Sequence, residues 1–85
     1  MIKVTRAEIA DAHLHLAAQR GLSSTYCPSE IAQELFPDHW RDKMTLVRDV
    51  ADELVEANKI VVLQKGVIIS ENANEAKGPI RLRKK

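Results

Sequence analysis

Arg41, Lys43, Thr45 and Arg48 stand in the first half of one helical stretch, HWRDKMTLVRDVADELVEAN, residues 39–58. Those residue types read nucleic acid. Arginine can pair bidentately with a guanine edge, threonine can meet a base edge or a methyl group, and lysine holds phosphate. Further along, Lys65 sits on a turn, and Lys77, Arg81, Arg83, Lys84 and Lys85 run to the end of the chain. Seven positions are therefore candidates for binding duplex DNA: Arg41, Lys43, Thr45, Arg48, Lys65, Arg81 and Arg83. Arg48 has a structural alternative, an ion pair with Asp52 one turn on. Trp40, beside them, opens the apolar stripe and is read as core.

The distribution of charge carries this reading, because the net charge of +1 does not. Residues 39–48 hold three cations against one anion, +2, and residues 49–58 hold four anions and no cation, −4. Residues 59–85 hold seven cations against two anions, +5. If the fold joins the start of the long helix to the C-terminal segment, the two make one positive face. The alternative is a set of solvated faces with no ligand.

Other chemistries find less support. Cys27 is placed at the start of a helix, where the dipole stabilises a thiolate. No neighbouring histidine or second cysteine supports a redox role, and a small, mostly buried residue at the cap position, next to a packed Tyr26, is the simpler reading. His13 and His15, two apart on a helix, point about 200° apart and cannot share a metal. His13 is expected at the core edge and His15 in solvent. There is no glycine-rich phosphate loop or nucleophile elbow, so no enzyme, cofactor, metal or small-molecule substrate is expected.

The elements that must position these residues follow from periodicity. Thr5 and Glu8 have capping-box spacing, and a helix is predicted over residues 6–20, ended by Gly21. Thr25 and Tyr26 favour a strand stub before Pro28. Pro28 opens a second helix, 28–36, with Glu30 in its first turn. Pro37 breaks the chain, and Asp38 is the expected N-cap of a long helix over 39–57, about 30 Å in length, stopped at Asn58. Strands are predicted at 60–64, 67–69 and 80–83, the first two joined by Lys65-Gly66. The polar run SENANEAK, 70–77, reads as the mobile tip of a wing. Gly78-Pro79 then leads rigidly into the last strand.

This order is that of an α+β winged helix-turn-helix, three helices with a small antiparallel sheet, in a single domain over residues 1–85. The expected core is Ile9, Leu16, Ile31, Leu35, Trp40, Val47, Val50, Leu54, Val61 and Leu63. The blocks CPSEIAQEL, W-R-x-x-M-x-x-V-R (Trp40 to Arg48), KIVVLQKG and GPIRL, in that order across nearly the whole chain, resemble the family of small bacterial proteins termed domain of unknown function 3253. The resemblance implies a winged-helix-like fold and brings no activity, catalytic residue or ligand with it. The recurrence of GPIR as a block in that resemblance implies a fixed partner for Arg81, an acidic group such as Glu30 or Asp49, or a phosphate.

One cysteine excludes an internal disulfide and fits a reducing cytoplasm. No apolar run reaches the roughly 20 residues of a membrane span, and MIKVTRAEI lacks a leader's apolar region. The competing class is a protein-interaction module or homodimer with no nucleic-acid role, pairing through the first helix or through the last strand as an open sheet edge.

Overall fold

The computed structural model describes residues 4–85; residues 1–3, the start of the domain expected over 1–85 and of MIKVTRAEI, lie outside them. Three helices, α1 (Arg6–Arg20), α2 (Pro28–Leu35) and α3 (Met44–Glu56), precede a three-stranded antiparallel sheet of β1 (Ile60–Gln64), β2 (Val67–Ile69) and β3 (Arg81–Lys84). The layout is α+β and that of a winged helix.

α1 begins as its sequence demands. The Thr5 hydroxyl accepts from the Glu8 N–H, and the Glu8 carboxylate accepts from the Thr5 N–H, each at 3.2 Å. α2 starts with Pro28 in its first turn, where a missing N–H costs nothing, and ends one residue earlier than expected. The Glu30 carboxylate accepts the Cys27 N–H at 2.8 Å. The long helix is where the structure departs most from expectation. Trp40–Lys43 form a 3-10 turn, closed by Asp42 N–H to His39 C=O at 3.1 Å, and only Met44–Glu56 is α-helical. Asp38 does not cap it; among the described residues no side chain caps the 3-10 turn or α3. An uncapped helix start tightens into three-residue bonds because these satisfy orphan groups over a shorter span. The α-helical part is 13 residues long, about 20 Å. Asn58 turns the chain at φ 62°, as its left-handed tolerance predicts.

β1 pairs with both other strands, Leu63 opposite Ile68 on one side and Arg81 on the other. Lys65 (φ 52°) and Gly66 (φ 79°) make the two-residue turn between β1 and β2; two consecutive positive φ values match the twist of a hairpin. Tyr26 extends the sheet beyond β3, exchanging both backbone hydrogen bonds with Leu82 at 2.8 and 2.7 Å. That bridge is the predicted strand stub, and it covers Leu82 on the β3 edge that sequence alone left open. β3 itself runs one residue later than expected.

The core joins α1, α2, α3 and the inner sheet face through Ile9, Ile31, Val47, Val50, Ala51, Leu54, Ile60, Val62 and Leu82. Leu16, Leu35 and Trp40 are only half-buried against its rim. Val61 is half-buried too, and Val62 takes the core position, because the alternation of β1 points even-numbered residues inward. Leu63 is buried apart from that cluster. His13 is not at the core edge. It is fully buried, its Nε2 donating to the Val47 carbonyl at 3.1 Å and its Nδ1 accepting from the Tyr26 hydroxyl at 2.9 Å. Burial favours this neutral form of the ring and pushes its pKa down to about 4, against the upward pull of the Val47 carbonyl. Burial likewise pushes the Tyr26 hydroxyl well above its ordinary value.

Candidate nucleic-acid interface

The core residues of α3 fix what its outer side presents. Opposite Val47, Val50, Ala51 and Leu54, the helical repeat sets Thr45, Asp49, Asp52 and Glu56 along one solvent-facing line. Three carboxylates thus occupy the face that a recognition helix would turn to DNA. They are not idle. Asp49 accepts from the Asn74 side-chain amide, and Asp52 accepts from the Ala73 N–H at 2.5 Å and the Asn74 N–H at 3.5 Å. Burial holds the Asp52 carboxyl above its ordinary range, against the pull of those two N–H groups. Glu53 is bound by Arg6 of α1.

Segment 70–77 is consequently not a free wing tip. Asn72 C=O accepts from the N–H groups of Glu75 and Ala76, which closes a local turn. Ala73 and Ala76 are buried in the core, and the acidic half of α3 grips the turn from the side. Alanines at 73 and 76 among polar neighbours were the sequence signal for this docking: small apolar residues three apart suit one face of a turn.

The basic candidates divide into two groups. At the start of α3, Arg41 stacks on the Trp40 ring, 4.4 Å from its centroid, and Lys43 stands 5.6 Å from that of Phe36. Both belong to the 3-10 turn and not to α3. Arg41 lines a shallow concavity with Asp38 and Asp42, so the field there is mixed. Thr45 is exposed, while Arg48 is half-buried with its Nε lacking a hydrogen-bond partner among the described residues. The expected Arg48–Asp52 pair does not form, because Asp52 is engaged by Ala73 and Asn74.

The second group surrounds a groove of about 710 Å³ between the β1–β2 hairpin and residues 77–81. Val67, Ile69 and Pro79 give it apolar walls; Lys65, Lys77 and Gln64 supply polar groups, Arg81 also lines it, and among the described residues no carboxylate does. Gln64 ties the two sides together, its side-chain amide donating to the Lys77 carbonyl at 2.6 Å. The apolar walls were not anticipated. A hydrophobic VII strand of three residues at a sheet edge was the available sign, since an edge strand has little to cover it.

Arg81 meets neither Glu30 nor Asp49. Its Nε donates to Thr25 Oγ1 at 3.0 Å and its Nη2 to the Thr25 carbonyl at 3.1 Å. Arg20 reaches the same carbonyl at 2.8 Å and Glu30 at 2.6 Å, so two arginines converge on Thr25. Partial burial raises the Glu30 carboxyl, but the Cys27 N–H, Arg20 and the nearby Arg81 outweigh it and hold the group below its ordinary value. Arg83 is half-buried, on the same sheet face as Arg81, and donates to the Lys84 carbonyl at 3.0 Å. Only Lys65 and Arg81 of the seven candidates share the groove. Arg41, Lys43 and Thr45 gather at the other site.

Cys27 is half-buried at the start of α2, with the Ser29 hydroxyl 3.1 Å from its sulfur. Among the described residues no cluster of three histidine, cysteine or acidic side chains is set to hold a metal, and no helix is long and apolar enough to cross a membrane. A comparison with curated proteins returns no match to the chain. The family described as protein of unknown function DUF3253 matches over residues 6–85, essentially the whole fold built above, and the chain belongs to that family.

Proposed function

We propose that this chain is a non-catalytic, cytoplasmic binding module that holds duplex DNA weakly through its phosphates, with the wing groove as the main contact. One observation carries the reading: Lys65, Lys77 and Arg81 line a groove that contains no carboxylate. Clustered cations without local anions make a field that attracts a polyanion and releases its counterions on binding. The helix-turn-helix made by α2 and α3 plays a smaller part in this scheme. Its outer line of Asp49, Asp52 and Glu56 repels a sugar–phosphate backbone, so contact there is confined to Arg41, Lys43, Thr45 and Arg48 at the leading end. Phosphate contacts position a protein and carry no sequence information, so binding is largely indifferent to sequence.

Fluorescence anisotropy with a random-sequence duplex at low salt tests the proposal. A Lys65→Ala/Lys77→Ala variant should lose most of the binding, and Arg41→Ala/Lys43→Ala should lose less. Arg81 is left in place because it anchors Thr25. Unchanged binding in the first variant would move the interface away from the wing. The second reading, a protein-interaction module, is favoured by Val67 and Ile68, which are 63% and 52% exposed on the outer strand.

A further inference from the structure

One wall of the wing groove is not a strand. Residues 77–81 form it, and the sheet reaches them only at their far end, where Arg81 stands opposite Leu63. Lys77 and Gly78 lie before the ladder and are exposed. Two sets of contacts hold this near end. Across the groove, the Gln64 side-chain amide donates to the Lys77 carbonyl at 2.6 Å. On the other side, Ala76 is buried in the core directly before Lys77, at the end of the turn closed by the Asn72 carbonyl. That turn is gripped by α3: the Ala73 N–H donates to Asp52 at 2.5 Å, the Asn74 N–H to Asp52 at 3.5 Å, and the Asn74 side chain to Asp49. Lys77 thus emerges from a turn whose place is set by the acidic line.

We infer that Asp52, with Asp49 in support, is a positioning residue for the Lys77 side of the groove. It touches no phosphate, and it acts by holding the turn from which Lys77 leaves. The inference rests on the phosphate-binding reading above and gives it a consequence that charge alone would reverse. Asp52 is an anion, so simple repulsion predicts that any variant lacking it binds a polyanion more tightly. Positioning predicts the opposite for Asp52→Ala. Once the turn is free, Lys77 ranges over many conformations, and ordering it again on a phosphate costs entropy that the docked turn has already removed. Asp52→Asn separates the two effects. Its remaining side-chain oxygen still accepts from the Ala73 N–H, so the turn stays docked while the repulsion disappears.

Two readouts on the full chain test the inference. In a proton–nitrogen correlation spectrum with no nucleic acid present, the Gln64 side-chain amide should move to the position of a free glutamine in Asp52→Ala and stay in place in Asp52→Asn. The core methyl signals should be unmoved in both, which shows that the fold is kept. In a salt titration on random-sequence duplex, Asp52→Ala should bind more weakly than the natural chain, with a slope flatter by about one unit, as when one phosphate contact is lost. Asp52→Asn should bind as well as the natural chain or better. Asn74→Ala, at an exposed position, should shift both readouts in the direction of Asp52→Ala and by less. A Gln64 amide unmoved in Asp52→Ala would overturn the inference, as would tighter binding by Asp52→Ala than by Asp52→Asn. A natural chain that binds no duplex would remove the phosphate reading alone, and the Gln64 amide would still decide whether Asp52 sets the groove wall.

Discussion

The outer line of α3 and the wing groove are both strongly charged, and they differ in what those charges face. Of the four carboxylates of α3, Asp49, Asp52 and Glu53 meet partners within the protein: Asn74, the N–H groups of Ala73 and Asn74, and Arg6. In the groove, no carboxylate among the described residues lines the wall beside Lys65 and Lys77, and Arg81 donates to neutral atoms of Thr25 while its charge also reaches Glu30. The acidic region spends its charge on architecture. The basic region keeps its charge for a ligand. Summed charge along a segment therefore predicts an external field only where folding leaves the charges unopposed.

Both regions rest on one core, and its weakest condition is acid. The neutral His13 ring links α1 to α3 through Val47 and to the strand stub through Tyr26. Its folded pKa of about 4 lies below the ordinary 6.5, so the unfolded chain binds the proton more readily. Stability from this group is complete above pH 6.5, falls as the pH drops towards 4, and is gone below that. The full loss is roughly 3 kcal/mol, large for a domain of this size. Urea denaturation at pH 7 and at pH 4 measures it, and a His13→Gln variant should show a much flatter pH dependence over that interval. Equal slopes in the two proteins would assign acid sensitivity elsewhere.

A smaller effect separates the two regions directly. Asp52→Ala removes the acceptor of the Ala73 N–H and should cost about 1–3 kcal/mol. Hydrogen exchange should register the loss first at the Ala73 amide, as the 70–77 turn comes away from α3. Retained protection at that amide would mean the turn holds itself, and the acidic line would then be available to a partner after all.

Much of this was legible in the sequence, for identifiable reasons. The Thr5/Glu8 box, Pro28, Asn58 and Lys65-Gly66 are local signals whose chemistry acts within a few residues, and each fell where expected. The 3-10 start of α3 was not legible, because apolar spacing continues unbroken from Trp40 while the cap that would enforce an α-helix is missing. The sequence points to Val61 where the structure buries Val62, because four consecutive apolar residues, Ile60 to Leu63, give no alternation to fix the register. The His13–Tyr26 link and the shared hold of Arg20 and Arg81 on Thr25 join residues far apart in the chain, which no spacing rule reaches. The candidate site fared accordingly. Its residue types were readable, while the division into two groups depends on how β1, β2 and the 77–81 segment close around the groove.

The central claim is that the wing's unopposed cations hold phosphates while the acidic line of α3 does not take part. The direct test is the salt dependence of binding to random-sequence duplex, measured by anisotropy for the natural chain and for Lys65→Ala/Lys77→Ala. With about three to five phosphates neutralised, log K should fall against log salt with a slope of roughly −3 to −4.5. The double variant should flatten that slope by about two units. No binding at low salt with tens of micromolar protein, or a slope the variant leaves unchanged, would contradict the claim.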